Sequence, residues 1–401
     1  MTLRVVMVVT GFPSKNDPGT GIFNLRAARA LNCSADVTVI HLRSWRPFRP
    51  FARTDELDGL RVRTLAIPRL PIFPATSLHF YKTSAWAAVQ RLIKECDLIH
   101  SVGLSFAGFV GAHWARLGGV RHVTQITSST ELDGSQPLPD EEAMKFIDGV
   151  ACNSEALAMQ FHRMYPAARN VRAIYRGVDL KRFAPNGYRR VTPMRRGVHF
   201  LFLGGFPDYR DLPYGRNTKG GETLLSAWQA AEEALASASA QLTIGGPCSA
   251  DARVQRWRAA LRYPQHVHLT GMLDPSKVAD CIRSCDAVLV PSLQEGFPNI
   301  AVEASACGRA VLASTLDGMA ELIAPGETGA LIRAGDVTAW ARALADFAQR
   351  HDELVVFGRN ARMRAERLFD ANAYPANVMH LYHAALGEIN QREVLPWIAL
   401  S

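Results

Sequence analysis

Two carboxylates, Glu295 and Glu303, stand eight residues apart in AVLVPSLQEGFPNIAVEASACGRAVLAS, Ala287 to Ser314. A carboxylate accepts hydrogen bonds from hydroxyls, whereas the bare N–H groups at a helix N-terminus attract phosphate. The surrounding residues place the two groups where both chemistries meet. The apolar run Ala287 to Val290, bounded by Pro291 and Ser292, reads as a buried parallel strand. A turn with Gly296 and Pro298 follows, and Asn299 is expected to cap a helix whose apolar positions Ile300, Ala304 and Cys307 face one way. Gly308 stops that helix, and Ala310 to Ala313 is the next strand. Glu295 then lies in the loop at the carboxyl end of a strand, and Glu303 one turn into the helix. Ligands of open α/β sheets bind at that end. The combination suits a ligand with both phosphates and sugar hydroxyls, such as a nucleotide-sugar. Two Glu at this spacing, taken alone, read more readily as solvated surface charges.

A third chemical residue lies upstream. Lys219, in Asn217-Thr218-Lys219-Gly220-Gly221, stands at the start of an expected helix. That is an electrostatically poor place for a cation unless an anion sits there too. Phosphate contact is the expectation.

The elements needed to carry these residues are legible as alternation. Apolar strands are expected at Leu3 to Val9, Val37 to Leu42, Leu60 to Ile67, Asp97 to Ser101, His122 to Ile126 and Asp148 to Cys152. A second series runs through His199 to Gly204, Gln241 to Gly245, Val267 to Thr270 and the stretch from Ala287. Helices are expected between them, among them Phe23 to Leu31, Ser84 to Cys96, Thr223 to Ala234 and the run from Val337 to Leu368. Continuous apolar strands separated by helices argue for parallel sheets. With 401 residues the chain is long enough for two full cores. Asn186 to Gly197 is rich in Arg and Pro and reads as a linker.

PSLQEGFPNIAVEASACGRAVLAS closely resembles the Glu-x7-Glu signature of the retaining glycosyltransferases of family four. DGMAELIAPGETGALIRAGD, Asp317 to Asp336, is similar to the segment that follows the signature there. IDGVACNSEALAMQF and IYRGVDLKRFAP are similar to two further family segments, with Arg176 where Asn is usual. The resemblance implies the GT-B fold, two Rossmann-like domains facing each other across a cleft. The expected domains are residues 1–185 on the acceptor side, a linker at 186–197, residues 198–368 on the donor side, and a terminal helix in 369–401 crossing back to the first domain.

By the same resemblance Glu303 holds the donor ribose and Glu295 the transferred sugar, beside the backbone of Gly296, Phe297, Pro298 and Asn299. Pro298 replaces the commoner Gly and removes one N–H donor. Glu321 matches a family Glu near the base pocket, and it reads as well as a helix-start charge. Lys219 matches a family Lys that faces the donor phosphates. Gly204-Gly205-Phe206 stands where the family has Gly-Arg, and Arg216 is the candidate replacement for that missing Arg. Gly19 and Gly21, in the Gly/Pro loop after the first strand, are candidates for close backbone approach to the donor. The turn after His122 to Ile126 lacks the family His, and Thr127, Ser128 and Ser129 are the candidate substitutes on the sugar and acceptor side. His122 itself reads as structural.

The implied activity is retaining transfer of a hexose from a nucleotide-sugar, UDP favoured over GDP, to a hydroxyl of a glycan, polysaccharide or lipid-linked acceptor. No cofactor or metal is expected: no Asp-x-Asp motif appears in a suitable loop, and Lys219 with backbone N–H groups would stabilise the leaving diphosphate. Two rival readings are an epimerase or phosphorylase on the same fold and a catalytically silent sugar-binding partner.

Composition bounds the setting. The net charge of +8 can serve phosphates or an anionic surface, and nucleic acid is not expected because none of its usual modules appears. RSWRPFRPFAR, Arg43 to Arg53, interleaves basic and aromatic residues. It reads either as an irregular loop with tucked aromatics or as a contact for anionic lipid, where each basic residue is worth ~1 kcal/mol. No run of ~18 apolar residues predicts a transmembrane helix. MTLRVVMVVTGF reads as the first strand rather than a leader. The seven Cys show no paired metal-ligand spacing and are expected to be reduced and mostly buried. The expected location is cytoplasmic, with peripheral attachment to the inner membrane face.

Overall fold

The computed structural model describes residues 2–14, 20–44, 51–67, 74–134, 141–185, 197–206 and 218–389. The chain divides into two compact units, Met1–Arg176 with Asn372–Ser401, and Gly177–Ala371.

The first unit carries strands β1 (Arg4–Val9), β2 (Asp36–Ser44), β3 (Ala52–Leu57), β4 (Leu60–Ile67), β5 (Leu98–Val102), β6 (Arg121–Ile126), β7 (Gly149–Cys152) and β8 (Val171–Ala173). They form one sheet in the order β3-β4-β2-β1-β5-β6-β7-β8. Every pairing is parallel except β3 with β4, which are antiparallel. β1 and β5 are buried almost throughout because helices cover both faces, as the continuous apolar runs require. Helices α1 (Ile22–Asn32), α2 (Pro74–Glu95), α3 (Phe106–Gly118), α4 (Glu141–Met144) and α5 (Glu155–Met164) lie between the strands.

The edge hairpin β3–β4 was not expected. β3 falls at the end of the basic-aromatic segment, and its alternation of exposed and half-buried residues gives no apolar run. Asp58 and Gly59, both at positive φ (52° and 76°), make its two-residue turn. Within the segment Arg43 to Arg53, residues 45–50 lie outside the described residues. Arg43 belongs to β2, Phe51 packs against a core cluster, and Arg53 in β3 pairs with Asp55.

The second unit carries β9 (His199–Phe202), β10 (Gln241–Gly245), β11 (Val267–Gly271), β12 (Ala287–Val290), β13 (Ala310–Ser314) and β14 (Gly329–Ile332). The order β11-β10-β9-β12-β13-β14 is parallel throughout. Renumbered from β9 this is 3-2-1-4-5-6, the doubly wound order, whose strand direction of travel reverses between β9 and β12. Helices α6 (Gly221–Ala230), α7 (Glu232–Ser237), α8 (Ala252–Ala259), α9 (Val278–Arg283), α10 (Asn299–Ala306), α11 (Asp317–Leu322), α12 (Val337–Phe347) and α13 (His351–Leu368) alternate with the strands or follow them. One core runs from Phe200 and Phe202 through Trp228 to Trp340 and Leu344, all buried. The helix expected at Thr223 to Ala234 is two, α6 and α7, joined at Ala231.

The divide falls at Arg176/Gly177, ahead of the expected linker, of which residues 186–196 lie outside the described residues. Residues 177–185 belong to the second unit for a physical reason: its side chains hold their carbonyls. Arg362 donates to the Phe183 carbonyl at 2.8 Å, and Arg283 to those of Arg182 and Ala184 at 3.2 and 3.3 Å. The last helix, α14 (Ala373–Leu386), belongs to the first unit. Its Tyr374, Val378, Leu381 and Tyr382 are buried in the same cluster as Leu25 and Leu31 of α1. Among the described residues no helix is long and apolar enough to cross a membrane. All seven thiols are free, and Cys96, Cys152, Cys285 and Cys307 are buried.

Candidate active site

In the second unit, the loops after β9 and β12 flank the reversal of strand order, and both are built around close backbone approaches. Gly205 follows β9 at φ 63°, and a Cβ there would lie 2.3 Å from the Pro247 carbonyl oxygen. The Phe206 N–H donates to that same oxygen at 2.7 Å. Gly204 lies beside Lys219: a Cβ added to it would come 3.1 Å from the lysine Cβ. Gly220 precedes α6 at φ 70°, and an added Cβ would stand 1.7 Å from the Pro291 carbonyl oxygen. The Leu293 N–H donates to the Thr218 carbonyl at 2.7 Å. The turn carrying Lys219 is therefore fastened to the loop leaving β12, and only glycine fits at its crossing point.

This fastening brings together Lys219 and Glu295, 76 positions apart. Lys219 Nζ lies 2.5 Å from Glu295 Oε1, and the buried Ser292 hydroxyl donates to that oxygen at 3.1 Å. The lysine side chain is 36% exposed and the glutamate 13%, so the carboxylate is the more buried partner.

Asn299 does not cap α10. Pro298 holds the cap position at φ −76° and ψ 119°, already the extended geometry of a capping residue, so Asn299 moves into the first helical turn. That first turn still leaves its N–H groups without partners inside the helix. Ala301, Val302, Ala304, Ser305 and Ala306 are buried, a wider apolar surface than the expected face. Glu303 is half-buried on the remaining side, one turn beyond Asn299, where helix geometry leans a side chain toward the N-terminus. Phe297 meets the ring of Phe369 at 5.3 Å between centroids. Gly296 is buried, and α11 rests on it: a Cβ on Gly318 would stand 1.8 Å from the Gly296 carbonyl oxygen. Glu321, on α11, is buried at 7% exposure, and its carbonyl accepts from Arg364 at 2.6 Å. An exposed helix-start charge is thus not what Glu321 is.

Gly19 and Arg216 lie outside the described residues. Gly21, in the first unit, stands before α1 at φ 73°, and a Cβ there would come within 2.3 Å of Gly11. The chain's own crossing at Gly11 thus accounts for this glycine.

Thr127, Ser128 and Ser129 follow β6 in the first unit, half-buried, and their turn is organised by Glu131, which sequence reasoning missed. Glu131 Oε1 accepts from the Thr127 N–H at 2.8 Å, the Thr127 hydroxyl at 2.7 Å and the Ser128 N–H at 3.2 Å. Its Oε2 accepts from the Leu104 N–H at 2.5 Å. The carboxylate is 6% exposed, so these bonds are what let it stay buried. The available signal was Ser128-x-x-Glu131, a capping box, which the structure forms. His122 is fully buried with Nε2 2.9 Å from the Ser101 hydroxyl, and burial pulls its pKa down to about 3. His100 is likewise buried, with Nδ1 2.6 Å from the Tyr382 hydroxyl and a pKa lowered to about 3, chiefly by burial.

Comparison with known proteins agrees with this architecture. Residues 19–182 match the family model for Glycosyltransferase Family 4, and residues 199–350 that for Glycosyl transferases group 1. The chain is 29% identical over 359 residues to the D-inositol 3-phosphate glycosyltransferase of Saccharomonospora viridis, covering 84% of this chain and 78% of that protein. In three dimensions it is similar to sucrose-phosphate synthase from Thermosynechococcus elongatus, with a TM-score of 0.74, 21% identity, 96% of this chain and 100% of the other. It is also similar to Anabaena HepE in complex with UDP-glucose, with a TM-score of 0.64, 17% identity, and coverage of 95% and 100%. Both neighbours share the fold of two parallel α/β domains, GT-B. With its first half matched by one family model and its second half by the other, the chain belongs to the family 4, group 1 glycosyltransferases.

Proposed function

We propose that this chain transfers a hexose from a UDP-linked donor to a hydroxyl of a glycan, polysaccharide or lipid-linked acceptor, with retention of configuration and without a metal. The observation that carries the reading is the Lys219–Glu295 pair at the strand-order reversal of the second unit. A cation and a carboxylate side by side match a donor whose diphosphate adjoins a sugar rich in hydroxyls. Lys219 meets the diphosphate and neutralises the charge that grows as the glycosidic bond breaks, so its contact is strongest in the transition state. The start of α10 offers N–H groups that its own helix leaves without partners. Glu295 accepts from hydroxyls of the transferred sugar, with Gly296, Phe297, Pro298 and Asn299 forming the loop around it. Glu303 accepts from the ribose, and Glu321 supports the base side. Arg216 stands as a second phosphate contact on sequence grounds. Thr127, Ser128 and Ser129 serve the sugar and acceptor.

The choice of UDP is supported by the UDP-glucose held by the Anabaena neighbour. A hydroxyl acceptor is supported by the relative named for D-inositol 3-phosphate. The test is a thermal-shift panel of nucleotide-sugars followed by turnover with EDTA present, using D-inositol 3-phosphate, free glycans and lipid-linked sugars as acceptors. A donor at 100 times its dissociation constant adds ~2.7 kcal/mol of stability. Release of UDP coupled to a new glycoside of the donor's anomeric configuration is the expected product. Donor isomerisation without acceptor would show an epimerase, a requirement for inorganic phosphate a phosphorylase, and binding without turnover a silent partner. Attachment to anionic membranes through Arg43 to Arg53 is a separate proposal resting on that segment's composition. Flotation with anionic vesicles at low salt tests it, and intact protein that stays with the pellet refutes it.

A further inference from the structure

Arg176 closes the first of the two stretches that make up the first unit and stands where the family has Asn. Its Nη2 donates to Asn24 Oδ1 at 3.2 Å and, in a longer contact, to Gln125 Oε1 at 3.4 Å. Each partner passes the connection on. Asn24, in the first turn of α1, donates through Nδ2 to the Gly11 carbonyl at 2.8 Å. Gln125, fully buried on β6, donates through Nε2 to Asn153 Oδ1 at 2.8 Å, and Asn153 reaches the Thr127 carbonyl at 3.4 Å. One bonded path thus runs from the loop after β1, through Arg176, to the loop after β6. The two strands flank β5, so these loops border the same carboxyl edge of the sheet on either side of its own reversal of order. Tyr374 of α14 donates to the same Gln125 oxygen at 3.2 Å, which fixes the amide's orientation.

Both contacts come from the one nitrogen at the end of a long side chain, a reach the shorter Asn lacks. The charge also has a cost. Arg176 Nε is buried without a hydrogen-bond partner, and burial disfavours the cation although the Glu131 carboxylate offsets part of that cost.

We infer that Arg176 is a positioning residue for the acceptor: acting through Asn24 and Gln125, it holds the loops after β1 and β6 in register along the carboxyl edge of the first unit. This rests on the transferase reading, in which Lys219 and Glu295 of the second unit take the donor and the first unit's edge is left for the other substrate.

The experiment compares wild type with Arg176→Met and Asn24→Ala. Amide hydrogen exchange in peptides covering residues 20–25 and 126–132 rises about tenfold in Arg176→Met, as expected when ~1.4 kcal/mol of local stability is lost, while peptides of β9 to β14 are unchanged. Asn24→Ala loosens residues 20–25 alone, and it stands in if Arg176→Met fails to fold. With the acceptor that wild type uses best in the panel above, Arg176→Met raises acceptor KM about tenfold and leaves donor KM within about twofold. Unchanged exchange in both peptides overturns the inference, as does a rise shared equally by the second unit or an equal change in the two KM values. If wild type turns over no donor, the transferase reading fails on its own, and the exchange result still decides whether Arg176 holds the two loops.

Discussion

Lys219 Nζ and Glu295 Oε1 lie 2.5 Å apart although they come from different βα loops of the second unit. In the free protein Glu295 therefore occupies the cation that a diphosphate would take. In the proposed function donor binding transfers Lys219 from the carboxylate to the phosphates, and this frees Glu295 for the sugar hydroxyls. A consequence separates this account from one in which the carboxylate merely adds binding. Glu295→Gln removes the competing anion, so UDP alone, which carries no sugar, should bind about fivefold more tightly, the equivalent of the ~1 kcal/mol of a partly exposed pair. Calorimetric titration with UDP reads this directly. Unchanged or weaker UDP binding by the variant speaks against the exchange of partners.

The two carboxylates should also differ in turnover. Glu303 is carried by a helix packed on most of its circumference, and in the proposed function it accepts from the ribose alike in ground and transition states. Glu303→Gln should raise donor KM with little change in kcat. The transferred sugar gains positive charge as its bond to phosphate breaks, so a nearby carboxylate tightens in the transition state. Glu295→Gln should lower kcat more than it raises the KM of the intact donor. Steady-state kinetics on both variants checks the split, and kcat and KM within about twofold of wild type in both, ~0.4 kcal/mol, would place the active site elsewhere.

Gly220→Ala probes the fastening between the two loops. The position has φ 70°, and the new methyl would stand 1.7 Å from the Pro291 carbonyl oxygen. The left-handed conformation alone costs an alanine ~1–2 kcal/mol, and the overlap forces the Lys219 turn away from the β12 loop. We expect a lower Tm together with a loss of donor affinity of about tenfold or more, since the lysine leaves its place. An alanine variant with wild-type Tm and affinity would show that the crossing does not position Lys219.

Stability should fall in mild acid because of His100 and His122. Both are fully buried, and burial lowers each pKa to about 3. Above the unfolded value near ~6.5 neither state binds the extra protons, and the contribution is fully present. As pH falls below that value the unfolded chain takes up two protons at these two sites that the folded chain refuses, and they lower stability by up to ~2.7 kcal/mol per pH unit until about pH 3. Urea midpoints measured from pH 7 to pH 4 follow this slope. His122→Gln should flatten it by about one proton, ~1.4 kcal/mol per unit. An identical slope in the variant would mean that His122 is not held neutral.

Much of the fold was legible because buried parallel strands are written as uninterrupted apolar runs. β1, β9 and β12 needed only their own residues to be read. β3 was hidden because an exposed edge strand, Ala52–Leu57, carries charges on its open side; the Asp58-Gly59 turn was its one visible mark. Glu295, Glu303 and Lys219 could be picked out by residue type and local setting. That Lys219 pairs with Glu295 could not, since the contact depends on sheet order and on two glycine crossings. Glu131 escaped notice because a glutamate in a polar turn reads as solvated, and only the fold shows that four donors converge on it. The path through Arg176 joins residues from four separate stretches of chain, so no local pattern could announce it.

Lys219 is the principal cation proposed for the donor diphosphate. Titration of UDP-glucose into wild type and Lys219→Ala under identical conditions tests it most directly. A charge-assisted contact of this kind is worth ~1.5–3 kcal/mol, so the account predicts that the variant binds the donor about tenfold to a hundredfold more weakly. Lys219→Ala that binds UDP-glucose within about twofold of wild type, a difference of only ~0.4 kcal/mol, would contradict it.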